Sequence, residues 1–450
     1  METTPRPMGT RRAGEAPRAG IQDMESVPER RNIVKRTLVV VLTVFCLGVP
    51  TANATSPPVG PSDFELKDGD RVVFVGDALI ERDASHGYLE TILTARYPGR
   101  QISFRNLGWS GDTVYGHARA GFGTPADGFK ALESHILSLK PTVIFVGYGM
   151  TDSFDGEAGL SRFAEGLNRL LDVFAKTEAR VVLVSPIPHE RSDLGPGSSE
   201  IADRHNQVLP LYRDAIRKAA EGRGHLYIDL SGLSGPASIT DNGIHLNALG
   251  YWELARAIAT ALGFRETGDG WQIEDRRDGR VLASPPIEEG KGRISPGALR
   301  FAATARILPS PQMPGGAADK AESRPAGRTL RFTGLAPGRY TLKIDGKAAA
   351  TADASGWDQG ERIDAGPELE QVEALRRAII DKNRLYFYRW RPQNETYLFG
   401  FRKHEQGNNA REIPEFDPLV VEQERLIARL RAPVSHVYEL VKEAEGKAGR

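Results

Sequence analysis

The feature that most constrains this chain is an alternation running from residue 63 to about residue 264. Short β-branched runs recur at Arg71–Val75, Ile102–Asn106, Thr142–Gly147, Arg180–Ser185 and Leu226–Asp229. Continuous apolar runs of this length suit strands buried on both faces of a parallel sheet. Helix-period segments separate them. In Gly159–Thr177 the apolar positions Leu160, Phe163, Leu167, Leu170, Leu171 and Phe174 fall on one helical face. Ile201–Ala219 repeats the period through Leu209, Tyr212, Ile216 and Ala219, with a kink expected at Pro210, and Asn247–Leu262 closes the unit. Repeated β-α units imply a doubly wound α/β fold with its functional groups at the carboxyl ends of the strands.

At 450 residues the chain exceeds the ~100–200 residues of one ordinary domain. The character changes past Gly263. Residues 265–350 are rich in Gly, Pro and Thr and carry hairpin-like stretches at Arg328–Phe332 and Arg339–Ile344, which predicts a small β-rich module. Pro311–Pro325 reads as a loose loop. Residues 351–450 read as a helical, aromatic- and Arg-rich C-terminal extension, with helices expected at Glu368–Lys382 and Pro418–Arg431. Within it, residues 383–418 interleave Tyr386, Tyr388, Trp390, Tyr397, Phe399 and Phe401 with Arg389, Arg391, Arg402, Lys403 and His404. Such a run suits a glycan or polyanion held by stacking and cation–π contact. The blander reading, a segment wrapped on the domain with its aromatics buried, is the preferred one.

Residues 1–54 read as a secretory signal with a long basic flank. Arg30-Arg31-Asn32-Ile33-Val34-Lys35-Arg36 precede an apolar run from Leu38 to Val49, and Thr51-Ala52-Asn53-Ala54 supplies a small-residue cleavage site after Ala54. Met24 is an alternative start. The run is shorter than the ~20 residues needed to span a bilayer, so no stable span is expected after cleavage and a secreted or periplasmic location follows. The single cysteine, Cys46, lies inside the run. A mature chain without cysteine has no disulfide, thiol catalysis or cysteine-bound zinc. Lys plus Arg (59) equals Asp plus Glu (59), which argues against a nucleic-acid partner.

The segments after the strands carry the chemistry. Gly76-Asp77-Ala78 follows the first strand, Gly108-Trp109-Ser110-Gly111-Asp112 the second, and Gly149-Met150-Thr151-Asp152 the third; Asp241-Asn242-Gly243-Ile244-His245 stands near the end of the unit. In order and placement these four blocks resemble those of the SGNH/GDSL-type hydrolases (esterases and lipases). The resemblance implies a three-layer α/β/α, flavodoxin-like fold and an esterase-like activity. It also implies roles, position by position. Gly108 stands where the family has an oxyanion-hole amide, and His245 where it has the base. The nucleophilic serine position is Ala78, the oxyanion asparagine position is Thr151, and the orienting aspartate position is Asn242. Asp241 is the neighbouring carboxylate that would replace it, and Ser110 the nearest alternative hydroxyl, although a turn residue is the commoner role. Asp77, Trp109, Tyr148 and Asp152 are further pocket candidates, the two aromatics as stacking platforms for a sugar ring. No cofactor and no metal is expected.

Loss of the serine in a hydrolase triad costs on the order of 10⁶ in turnover. An Asp→Asn change at the orienting residue costs ~10⁴ through the wrong histidine tautomer. Two functions remain open from sequence. One is an exported esterase-like hydrolase acting on a small-molecule or acylated-carbohydrate ester with altered catalysis. The other is a catalytically silent module that binds a glycan or a protein partner through the old cleft.

Overall fold

The computed structural model describes residues 64–443 except 193–194, 196, 265–270, 276–280, 285–292, 296–297 and 316–327; for 271–275, 281–284, 293–295 and 298 only the backbone is described. The signal-like segment, Met24, Cys46 and the expected cleavage site lie outside the described residues, as does part of the loop expected at Pro311–Pro325.

Five strands, β1 (Arg71–Gly76), β2 (Ser103–Asn106), β3 (Val143–Gly147), β4 (Arg180–Val184) and β5 (Leu226–Ile228), form one sheet in the order β2-β1-β3-β4-β5. Every pairing in it is parallel. The apolar runs read from sequence are these strands, because side chains of both parities meet a layer of helices. On one face Val72, Phe74, Phe145 and Val182 join a core with Trp252 and Leu254. On the other, Val73, Val75, Ile144 and Val146 pack on Phe163, Leu167 and Leu170. The layers are α1 (Ala78–Asp83), α2 (Tyr88–Arg96), α3 (Pro125–Ser138), α4 (Leu160–Ala175), α5 (Ser198–Arg223) and α6 (Ala248–Ala261). This is the α/β SGNH-hydrolase fold. Helix α5 continues through Pro210 as one 26-residue element, its buried stripe Ala202, His205, Leu209, Tyr212, Ile216 and Ala220 unbroken. Packing along that stripe outweighs the amide the proline removes.

The remaining strands are β6 (Trp271–Asp275), β7 (Val281–Ser284), β8 (Arg293–Ser295), β9 (Ala298–Thr304), β10 (Arg328–Thr333), β11 (Arg339–Ile344), β12 (Lys347–Asp353), β13 (Glu361–Ile363) and β14 (Ser435–Lys442). They make a four-stranded sheet, β13-β10-β6-β7, and a five-stranded one, β12-β11-β14-β9-β8. Strand β14 lies in the stretch read as helical. Its alternating burial, with His436, Tyr438 and Leu440 inward, places it centrally between β11 and β9, antiparallel to both. Helix α7 (Ala354–Gln359) buries Trp357 against this module. The long α8 (Pro367–Trp390), two single turns α9 (Glu395–Leu398) and α10 (Lys403–Gln406), and α11 (Phe416–Leu430) complete the chain. Helix α8 sends Val372, Leu375 and Ile379 into a cluster with Ala95 and Ile427, and Tyr386 into the core of the parallel sheet. Its far end thereby reaches the carboxyl edge of that sheet. Among the described residues no helix is long and apolar enough to cross a membrane.

Candidate active site

The short helix α1 is the hub on which the four sequence blocks meet. It starts at Ala78, directly after β1. Asp77 caps it, one carboxylate oxygen accepting from the Leu79 amide (3.1 Å) and the other from the Thr151 amide (3.3 Å). The cap therefore ties the first block to the third. The second block lies against the helix's flank: a Cβ built on Gly108 would sit 2.1 Å from the Glu81 nitrogen, so only glycine fits there. The last block reaches the helix through an ion pair between Arg82 and Asp241 (3.2 Å). Tyr251 closes the remaining side, its hydroxyl donating to the Leu79 carbonyl (3.0 Å).

The geometry at His245 decides what the ring can do. The Asn242 side-chain oxygen accepts two backbone amides, from His245 (2.9 Å) and Ile244 (3.3 Å). An amide NH₂ cannot accept, so this orientation of Asn242 is the only one that satisfies both donors. Its nitrogen then faces His245 Nδ1 at 3.1 Å. Burial and the charge of Arg82 hold the imidazole below its ordinary pKa, with Asp241 opposing them. Asp241 is engaged with Arg82 and makes no hydrogen bond to the ring. Thr151 contributes its amide to Asp77, and among the described residues its hydroxyl has no partner.

Several expected pocket groups are bonded or buried within the protein. The Gly108 amide donates to Asn106 Oδ1 (2.8 Å), while Asn106 Nδ2 donates to the Ile80 carbonyl (2.6 Å). An amide carries one proton, so this one is committed away from the cleft. Tyr148 is buried, not a platform: its hydroxyl donates to Asp112 (2.9 Å) and accepts from Arg119 (3.3 Å), and burial pushes its pKa well up. Trp109 is covered on one side by the Arg391 guanidinium, 3.5 Å from the ring centroid, and meets Trp390 edge-on. Ser110 is an exposed turn residue whose amide donates to Glu81. Asp152 is buried, accepts weakly from the Val114 amide (3.4 Å), and leaves its second oxygen without a partner. Burial, and next the charge of Asp77, push it up to about 7; burial, with Asp112 adding, pushes Asp77 up to about 6. No cluster of three or more metal-ligating side chains occurs among the described residues.

Three supports are absent from the sequence reading. Glu81 receives the Ser110 amide and the Arg391 guanidinium (3.1 Å), bringing the end of α8 into the wall of the cleft. Glu190 accepts from Ser238 Oγ (2.9 Å) and from the amides of Ile239 (3.3 Å) and Thr240 (3.0 Å), pinning the loop that carries His245. His189 packs beneath Gly243, whose φ of 91° admits glycine most easily. His189 also meets His205 (3.0 Å), which in turn meets Ser153 (2.7 Å). Glu190 and His189 follow β4, so the rule that functional groups follow strands, applied to that strand too, points to them.

Residues 74–253 match the model of the GDSL-like lipase/acylhydrolase family. Among solved structures, BT4096, a gut microbial diltiazem-metabolizing enzyme, aligns at TM-score 0.68 and 19% identity, covering 86% of this chain and 100% of its own. At that identity the likeness is one of fold. A catalytic mutant of Axe2, an acetylxylan esterase from Geobacillus stearothermophilus, aligns at TM-score 0.36 and 19% identity over 45% of this chain and 98% of its own. LAE5, an α/β hydrolase enzyme from the metagenome of Lake Arreo, Spain, aligns at TM-score 0.34 and 22% identity over 44% and 97%. No curated protein matches the chain.

Proposed function

Residues 74–253 belong to the GDSL-like lipase/acylhydrolase family, and from that premise we propose that this chain is an exported, non-hydrolytic relative whose esterase-like cleft binds an acyl-bearing ligand, such as an acylated carbohydrate, without cleaving it. The observation that carries the reading is the Asn242–His245 contact, taken with the alanine at position 78. Because Asn242 presents a donor to Nδ1, that nitrogen must hold its lone pair, and the neutral ring carries its proton on Nε2. A base needs the opposite tautomer. The residue in the nucleophile's place has only a methyl group, so there is neither a proton to take nor a group to take it. The committed Gly108 amide supports the same conclusion, since an oxyanion donor is worth about 10²–10³ in turnover.

Hydrolysis of p-nitrophenyl acetate tests this. Wild-type protein is expected at near-background rate, and Ala78→Ser alone should restore little, because the ring still lacks its lone pair on the cleft side. The triple change Ala78→Ser, Thr151→Asn, Asn242→Asp rebuilds the family pattern and should exceed every single variant. Ordinary turnover by the unmodified protein, lost in His245→Ala, would sink the non-hydrolytic reading. Export rests on the basic flank, apolar run and Ala-x-Ala-like site of residues 30–54. N-terminal sequencing of the mature protein should begin at Thr55; recovery of an intact Leu38–Val49 segment would refute it.

A further inference from the structure

Strand β2 is an edge of the parallel sheet, and a groove separates it from α11. The groove encloses about 460 Å³, within the ~300–1,000 Å³ of ordinary ligand sites. One wall is the sheet edge at residues 101–104; the other is a single face of α11 formed by Val421, Glu424, Arg425 and Ala428. Gln101, Val421, Arg425 and Ala428 are exposed, so the groove is open to solvent. The Ser103 N–H donates to the Asp70 carbonyl (2.9 Å) and the Leu107 N–H to that of Phe74 (2.8 Å), so the odd-numbered residues of β2 face β1. Ile102 and Phe104 therefore turn their backbone groups the other way, into the groove. The Phe104 carbonyl is taken by Lys382 (3.2 Å) and by the Arg105 guanidinium (2.9 Å). Among the described residues nothing pairs with the Phe104 N–H or with either backbone group of Ile102. The Ile102 carbonyl and the Phe104 N–H are the two groups that one residue of an added parallel strand would bridge.

The charges lining the groove select the strand that fits. Each of its carboxylates is already paired: Asp70 with Arg180 (2.5 Å), Glu424 with Arg105 (2.7 Å) and Glu90 with Lys382. Two of its cations are not. Arg431 donates to the Pro98 carbonyl (3.0 Å) but makes no ion pair, and Arg425 makes neither an ion pair nor a hydrogen bond among the described residues. Open guanidinium groups beside closed carboxylates favour an anionic occupant. We propose that this groove docks an extended acidic peptide segment of a partner protein. Its backbone adds one parallel bridge to β2, and one of its carboxylates pairs with Arg425. The groove shares no residue with the cleft around α1, so the proposal stands apart from the non-hydrolytic reading.

Selection of a random linear decapeptide library on the immobilised full chain, followed by fluorescence anisotropy of the recovered peptides, tests both parts. The recovered peptides should be acidic. Arg425→Glu changes an exposed side chain that the fold does not use, and it should weaken their binding at least about tenfold, the worth of one charge-assisted hydrogen bond. Ala428→Trp, also at an exposed position, fills the groove and should weaken it as well. N-methylation of the peptides one amide at a time reads the backbone bridge: at one position it should cost about tenfold, because a methylated nitrogen has no proton for the Ile102 carbonyl. Sodium glutamate at equal concentration should not compete. Recovery of no acidic peptide, equal binding to Arg425→Glu, or indifference to N-methylation at every position overturns the proposal. Competition by free glutamate overturns it too, in favour of a site for small anions.

Discussion

Two polar regions flank α1, and they treat their charges in opposite ways. Where α8 packs on α2 and β2, Lys382 and Glu90 are almost wholly buried and paired with each other. Lys382 also donates to the Phe104 carbonyl (3.2 Å), and Asn383 donates to the second oxygen of Glu90 (3.1 Å). Asp83 beside them is pushed up to about 7 by burial and then by the charge of Glu90. Below about pH 7 Asp83 thus keeps its proton for the most part and adds little charge beside the Lys382–Glu90 pair. At the cleft, by contrast, no described residue pairs with His245 Nε2 or the Thr151 hydroxyl, and one oxygen of Asp152 is buried without a partner among the described residues. The Lys382–Glu90 pair is completed by the fold and serves to hold α8, although Asp83 and Asn383 beside it each keep one buried oxygen without a partner among the described residues. The cleft's open groups are not completed by the fold, and only a ligand or solvent completes them.

The largest effect that separates these regions should come from Lys382→Met. It strands the Glu90 carboxylate in a buried site, which in comparable pairs costs about 3–5 kcal/mol. The midpoint of urea unfolding should fall accordingly, and adding Glu90→Leu should recover much of the loss by removing the stranded charge. A single variant within ~0.5 kcal/mol of wild type would mean that the seam is wetter than its burial indicates, and the contrast with the cleft would collapse.

Much of this molecule was legible in the chain, for identifiable reasons. Strands buried on both faces read as unbroken apolar runs, so β1, β3 and β4 stand out. Three blocks follow strands, so the segments with Ala78, Gly108 and Thr151 were legible by position, whereas His245, near the end of the unit, was reached through the resemblance to the family's last block. What the chain hid depends on partners remote in sequence. Glu81 and Arg391 are 310 residues apart, and Lys382 and Glu90 are 292 apart. No spacing rule connects them. The Gly108 amide was lost to a neighbour two residues away, a choice made by the rotamer of Asn106 and not by its identity. Tyr148 looked like a platform because it follows a strand, but a complete Asp112–Arg119 pair lies beneath it (2.7 Å) and draws the hydroxyl inward. The residues 435–442 alternate only weakly, with partly buried positions between the inward ones, which is why β14 did not announce itself.

A smaller effect should come from the cleft side, at Asp152. Its carboxyl is pushed up to about 7 from an ordinary 3.8, chiefly by burial and then by Asp77. Between those values the folded protein holds a proton that the unfolded chain has released. Stability contributed by this group is therefore greatest below about pH 4, falls as pH rises toward 7, and stays low above that. Asp77, at about 6, and Asp83, at about 7, act in the same direction, whereas His205, lowered to about 4 mainly by burial, acts in the opposite one between about 4 and 6.5. The wild-type pH profile alone cannot isolate Asp152, but a difference can. Asp152→Asn mimics the protonated acid in shape and charge, and its Oδ1 can still accept from the Val114 amide. The variant should match wild type at pH 4.5 and exceed it by about 1–3 kcal/mol at pH 8, where the native carboxylate is charged with one oxygen unpaired. Urea unfolding at the two pH values measures the gap. A gap that does not widen with pH would mean that water or a bound group already satisfies Asp152, and the cleft floor would then resemble the seam.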